Sequence, residues 1–268
     1  MHFKNINKLE TIRKARTAAV YPFNFNSDKH ILFIHGAGGR ADQWECQIDY
    51  FKDNYQITTF DLIGHGRSPK PRNGYDFKEM LLDVVAIFDK YKRHENIIIA
   101  HSYGVALGLH MALLKQTEIQ KLVLIGANVP RLTAGVEIWN LPVFILEWMR
   151  PIFSRGFVKR AFHPETSSEL INREQAVSDT NPMAVMKGLI KGMKEMPPIQ
   201  LENNSIPTLI INGDTDGLTP VEGAGELLNL LPNSKLEVVS KASHFVMMEQ
   251  PQIVNEIISK FLNGNKDA

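Results

Sequence analysis

Three kinds of side chain, far apart in the chain, suit acyl-transfer chemistry: Ser102, His244 and an aspartate at 214 or 216. A serine hydroxyl is a poor nucleophile unless a base takes its proton as it attacks. An imidazole can act as that base near neutral pH. The base needs a carboxylate to fix its tautomer and to stabilise the imidazolium that forms. Ser102 lies in Ile97–Gly104, IIIAHSYG, where four apolar residues run into His101-Ser102-Tyr103-Gly104 and the helical pattern VALGLHMALLK follows. A buried strand, a one-residue hinge and a helix would hold the serine Oγ clear above the strand ends. Such a turn needs small residues two places before and after the serine, where strand and helix nearly touch, and Ala100 and Gly104 meet that need. A serine between a strand and a helix also serves as a plain N-cap, so the flanking motifs have to decide.

His244 follows the last expected strand and precedes a helix beginning near Gln250, in the context SHFVMMEQP. The loop after PTLIIN offers both Asp214 and Asp216 as its partner. The other histidines fit the role less well. His35 and His65 sit in glycine-rich turns and are expected to brace backbone. His101 should point away from Ser102 along the strand, His110 is mid-helix and His94 lies near a helix end. No histidine pair has metal-ligand spacing with carboxylate support, so no metal is expected.

The elements that must position these residues follow from hydrophobic patterning. Ile31–His35, Gln56–Phe60, Ile97–Ala100, Lys121–Gly126, Pro207–Asn212 and Leu236–Val239 read as strands. Asp42–Lys52, Phe77–Tyr91, the stretch after Ser102, Val221–Leu231 and Gln252–Leu262 read as helices. Residues 1–28 are weakly patterned, with an edge strand expected near Ala15–Val20. Strands alternating with helices imply an α/β fold with a mostly parallel central sheet flanked by helices. Pro130–Glu202 breaks the alternation. It lacks a buried strand and is rich in helix formers, aromatics and methionine, and it is too long for an ordinary loop. The expected organisation is therefore a core of residues 1–129 and 203–268 with a helical cap inserted at 130–202.

Composition narrows the class. The 268 residues, 44% hydrophobic and 22% charged, suit a globular protein. A net charge of +1 argues against a nucleic-acid binder. The single Cys46 cannot form an internal disulfide and is read as packing within a helix. The basic residues Lys4, Lys8, Arg13, Lys14 and Arg16 read as a solvated leader. With no signal-peptide core and no apolar run near the roughly 18 residues of a membrane span, the default location is cytoplasmic.

Taken together, HGAGG at 35–39, DLIGHGRS at 61–68, AHSYG at 100–104, NGDTDGLTP at 212–220 and ASHFVMMEQP at 242–251 resemble the α/β-hydrolase superfamily, serine-hydrolase branch. The likeness runs from about His30 to Leu262, and within the superfamily it is strongest to capped intracellular abhydrolase-domain proteins. The resemblance implies Ser102 as nucleophile and His244 as base. It favours Asp216 as the acid, because the family places it three residues after the glycine, here Gly213. Asp214 is then left to cap the turn. The backbone N–H groups of Ala37 and Tyr103 would form the oxyanion hole. The glycine loop lacks the signatures of a phosphate or dinucleotide site, so no cofactor is expected. Asp61–Ser68 is read as a tight structural turn.

The expected function is hydrolysis of carboxylic esters, with lipophilic acyl groups, through an acyl-serine. The same residues would serve a thioesterase, acyltransferase, peptidase or carbon–carbon hydrolase or lyase, and the fold can also serve as a non-catalytic scaffold. Trp139, Phe144, Trp148 and Phe245 are the expected substrate-binding side chains. A small apolar ester is the expected partner, with transient lipid contact through the cap.

Overall fold

The computed structural model describes Phe3, residues 9–130 and residues 136–264. Lys4 and Lys8 of the basic leader lie outside the described residues. In chain order the elements are β1 Leu9–Arg13, β2 Arg16–Phe23, β3 Lys29–Ile34, α1 Glu45–Phe51, β4 Gln56–Phe60, α2 Phe77–Tyr91, β5 Glu95–His101, α3 Tyr103–Leu114 and β6 Lys121–Ile125. Then come α4 Val143–Ala161, α5 Ser168–Asp179, α6 Met183–Lys194, β7 Thr208–Gly213, α7 Val221–Leu230, β8 Ser234–Val239, α8 Val246–Glu249 and α9 Pro251–Asn263.

The strands form one eight-stranded sheet in the order β1-β2-β4-β3-β5-β6-β7-β8. β1 and β2 run antiparallel to each other, and β2 runs antiparallel to β4. From β4 to β8 every neighbour pair is parallel. The mostly parallel sheet expected from the sequence is present. Its strands are near-continuous apolar runs because both faces are covered. Alternate residues divide between two cores. Leu32, Ile34, Ile98, Ala100, Leu122, Leu124 and Ile210 join residues of α2, α3 and α7. Ile31, Phe33, Ile97, Ile99, Val123, Ile125 and Ile211 join residues of α1, α8 and α9.

The N-terminal segment departs from expectation. Instead of one edge strand it forms the β1–β2 hairpin, and the leader's arginines are not simply solvated. Arg13 Nε and Arg16 Nε both donate to Asp83 Oδ1 across 2.8 Å, tying the hairpin to α2. Asp83 is buried, and burying a carboxylate requires such partners. The expected Asp42–Lys52 helix begins as a 3-10 turn over Ala41–Trp44 before α1. Within it Trp44 packs inward, whereas Cys46 is exposed, so the reading of Cys46 as a packing residue is corrected. Two positions apart on a helix, the two side chains cannot share a face.

Among the described residues three α-helices, α4 to α6, and the 3-10 turns Val136–Asn140 and Leu201–Asn203 lie between β6 and β7. No described helix is long and apolar enough to cross a membrane.

Candidate active site

The sheet order brings the candidate residues together. β3 lies between β4 and β5, so the chain leaves β3 in one direction for β4 and returns to its other side as β5. The C-terminal ends of neighbouring parallel strands at such a reversal open a crevice. Ile34 pairs with Ala100, which sets the loop beginning at His35 beside Ser102. Gly213 pairs with Val239, which sets the Asp216 loop beside the loop carrying His244.

Ser102 has φ 53° and ψ −118°, a left-handed backbone that a non-glycine residue adopts only when its surroundings enforce it. The enforcement is visible on both sides. A Cβ at Gly104 would lie 2.7 Å from the Ile34 carbonyl oxygen. A Cβ at Gly108 would lie 3.1 Å from the Ala100 Cβ, so helix and strand meet where the sequence supplies alanine on one side and glycine on the other.

Ser102 Oγ and His244 Nε2 are 2.8 Å apart, and His244 Nδ1 is 2.9 Å from Asp216 Oδ2. A carboxylate oxygen accepts, so Nδ1 carries the proton and Nε2 is free to accept from the serine. Asp216 is 4% exposed. Its Oδ1 accepts the N–H groups of Leu218 and Thr219, each at 2.8 Å, and its Oδ2 also accepts the Thr219 hydroxyl at 2.6 Å. Burial alone would raise its pKa. The His244 charge and these hydrogen bonds outweigh it and hold the carboxyl below its ordinary value. Asp214 faces elsewhere, accepting the N–H groups of Lys241 and Ala242 at 3.2 and 3.3 Å.

Thr219 is a site residue that the motif reading passed over. Besides its bond to Asp216, its Oγ1 lies 3.1 Å from His244 Nδ1. Glu249 is another. Its carboxylate accepts the N–H of Ser243 and that of His163, each at 2.7 Å, and so ties the His244 loop to the turn after α4. The His244 N–H itself donates to the Ala161 carbonyl at the end of α4. The only sequence signals were the threonine before Pro220 and the glutamate before Gln250-Pro251.

The glycine loop is braced around Ala37. His35 Nδ1 donates to the Gly36 carbonyl at 2.7 Å, while His35 Nε2 accepts the Leu62 N–H at 2.9 Å. The Gly36 carbonyl and the Ala37 N–H belong to one planar peptide group, so holding the first orients the second. The Gly38 N–H donates to His65 Nε2 at 3.0 Å. Burial lowers the His35 pKa to about 4, and burial with the neighbouring His35 lowers that of His65 to about 3, so both rings are neutral as these bonds require. At the elbow, the Ser102 carbonyl accepts the Val105 N–H at 2.9 Å, which fixes the Tyr103 N–H in the same way. First-turn N–H groups of a helix lack intrahelical acceptors. Among the described residues the Ala37 N–H also donates to no other group. Ala37, Ser102 and Tyr103 line one cavity of about 210 Å³.

A second cavity, of about 280 Å³, shares Ala37 and Met186 with the first; Ile152, Phe153, Phe157 and Val158 of α4 give it an apolar wall, and Arg150, Arg160, Glu174 and Asp179 stand among the rest of its lining. Trp139 and Phe245 line it, Trp139 stacked on Phe153 and Phe245 on Phe162. Phe144 and Trp148, expected beside them, are 74% and 79% exposed and line neither cavity. The expectation that they bind substrate is corrected: a fourfold spacing keeps them on the outer face of α4.

His101 is 1% exposed and points back into the sheet's end rather than at Ser102. Its Nε2 donates to the His244 carbonyl at 2.9 Å. The Asp61–Ser68 stretch is a closed turn in which Asp61 Oδ1 accepts the Ala41 N–H and Oδ2 the Arg67 N–H, each at 2.8 Å. No group of three His, Cys, Asp or Glu side chains among the described residues is arranged to hold a metal ion.

Comparison with known proteins gives the lineage. Residues 29–170 match the family model described as alpha/beta hydrolase fold, and residues 189–268 match one described as TAP-like protein. The chain is 28% identical over 247 residues to Protein ABHD8 of Homo sapiens, covering 88% of this chain and 55% of that protein. It thus spans about half the length of the curated relative. Among solved structures, a hydrolase from Pseudomonas aeruginosa PA01 superposes with a TM-score of 0.85 at 20% identity, covering 97% of this chain and all of that one (100%). An esterase from Exiguobacterium antarcticum superposes with a TM-score of 0.81 at 20% identity, covering 93% and 96%. At such identities these two likenesses speak for the fold.

Proposed function

The chain belongs to the alpha/beta hydrolase fold family, and from that premise we propose that it is a serine hydrolase of carboxylic esters with apolar acyl groups. The observation that carries the reading is the unbroken chain from Ser102 Oγ through His244 to Asp216, at 2.8 and 2.9 Å. In the first step Ser102 Oγ attacks the ester carbonyl carbon as its proton passes to His244 Nε2. The carbonyl oxygen takes the negative charge and is met by the N–H groups of Ala37 and Tyr103. Each such donor is worth about 3–4 kcal/mol of transition-state stabilisation. The ester C–O bond then breaks, His244 returns its proton to the leaving alkoxide, and an acyl-serine remains. Water, deprotonated by His244, releases the carboxylic acid by the reverse sequence.

The inserted segment 130–202, of which 131–135 lie outside the described residues, acts as a cap over this site. Support comes from three contacts: the Arg160 carbonyl accepts the Gly217 N–H at 3.0 Å, Ala161 accepts the His244 N–H, and Asn181 reaches the glycine loop. The apolar lining of the larger cavity, which Met183, Met186, Phe153 and Phe157 share, supports an acyl group of medium or greater length. Flexible methionines suit loose selectivity. Rates on p-nitrophenyl esters from acetyl to dodecanoyl test this. A rise in kcat/KM toward octanoyl, lost in Ser102→Ala, is expected. A steep preference for acetyl would contradict the apolar acyl site.

A further inference from the structure

Helix α4 carries a face turned away from the rest of the molecule. Phe144, Trp148 and Ile152 are 74%, 79% and 62% exposed. Spaced four apart, they form one stripe on a 3.6-residue helix. Pro151, Arg155 and Lys159 are also exposed and fall on the same stripe. The stripe is therefore apolar over its first turns and cationic over its last. The helix holds a single carboxylate, Glu147, and Arg150 takes it at 2.6 Å. Arg155, Lys159 and the exposed Arg160 have no acidic partner on α4.

An aromatic stripe of this size standing in water marks an interaction surface. Its chemistry selects the partner. Tryptophan and phenylalanine favour the boundary between headgroups and acyl chains, and lysine and arginine beside them are drawn to anionic headgroups. Contact with a second copy would set the same cations against a stripe that offers no carboxylate in return. Ile152 and Gly156 also border the larger cavity, so a surface seated on this face would lie at that cavity's mouth. We propose that the α4 face formed by Phe144, Trp148, Ile152, Arg155 and Lys159 docks the protein on an anionic lipid surface. The docking does not depend on what the site hydrolyses, because binding is read without turnover.

The test is cosedimentation of the full chain with vesicles of phosphatidylcholine alone and of phosphatidylcholine mixed with phosphatidylserine, together with tryptophan emission. Binding to the mixed vesicles, weakened by salt, is expected with a blue shift in emission. Trp148 should supply that shift, since Trp44 is already buried and Trp139 is stacked on Phe153. Phe144→Ser with Trp148→Ser should abolish binding, and Arg155→Glu with Lys159→Glu should weaken it about tenfold or more. All four side chains are exposed, so unchanged melting temperatures are expected. Absence of binding to mixed vesicles would overturn the proposal, as would variants that bind like wild type. So would a concentration-dependent dimer in sedimentation equilibrium that Phe144→Ser with Trp148→Ser dissolves, which would make the face a self-contact.

Discussion

The side-chain amide of Asn181 donates to the Gly38 carbonyl across 2.9 Å, linking the turn between α5 and α6 to the loop after β3. Since the Gly38 N–H is held by His65, this residue's backbone is gripped on both sides, one of them by the cap. In the proposed mechanism these bonds preset the adjoining Ala37 N–H for the oxyanion, and the setting depends on the contact that Asn181 makes.

Asn181→Ala should accordingly lower kcat more than it raises KM. Loss of one hydrogen bond and a loosened donor predict a fall of about tenfold in kcat on a soluble ester. Steady-state kinetics with a parallel melting curve check this. A lower melting temperature with kcat unchanged would leave Asn181 as a packing residue alone.

The two aspartates of the β7 loop should separate cleanly. Asp216→Asn removes the acceptor that fixes the His244 tautomer, so kcat should fall by about a thousand- to ten-thousand-fold. Asp214→Asn weakens only the bonds to the Lys241 and Ala242 amides and should leave kcat near wild type with a modest loss of stability. Kinetics of the two variants on one ester decide between them, and the reverse pattern would reject the assignment.

Strand and helix at the elbow are matched as a pair. Gly108→Ala would place a Cβ 3.1 Å from that of Ala100, too close for two buried backbones to yield cheaply. A loss of about 1–3 kcal/mol is expected. In an Ala100→Gly background the clash disappears and the helix gains the alanine propensity, so the same substitution should stabilise by about 1 kcal/mol. Urea unfolding of the four proteins measures this, and additive effects would contradict it.

Stability should fall with acid well before the carboxylates titrate. Burial lowers the pKa of His35 from 6.5 to about 4 and, with their neighbours, those of His65 and His101 to about 3. Folded-state values lie below the unfolded one, so between pH 6.5 and about 4 the unfolded chain binds protons that the folded chain refuses. Each ring then removes up to about 1.4 kcal/mol per pH unit as pH drops through that window. Asp216, held below its ordinary value, contributes stability above the unfolded pKa and loses it as pH falls through the folded one. Urea midpoints measured from neutral pH downward should decline steadily, and a flat profile across the window would contradict neutral buried rings.

Much of this arrangement was legible in the sequence, and the limits have physical causes. Buried parallel strands such as Ile31–Ile34 and Ile97–Ala100 are continuous apolar runs, so patterning finds them directly. β1, LETIR, alternates weakly because it is an edge strand whose charges are answered from α2, and no local pattern reports a partner 70 residues away. Ser102 and His244 stand out through their neighbours in sequence. Thr219, Asn181 and Glu249 do not, since each acts through a contact the fold alone creates. Phe144 and Trp148 were misread because an amphipathic period shows which residues share a helix face but not what that face meets.

The central claim is that Ser102 is an activated nucleophile, and labelling by a fluorophosphonate probe tests it most directly. Wild type should label, and labelling should vanish in Ser102→Ala and fall by orders of magnitude in His244→Ala. A wild-type protein that does not label, or a Ser102→Ala variant that labels as well as wild type, would contradict it.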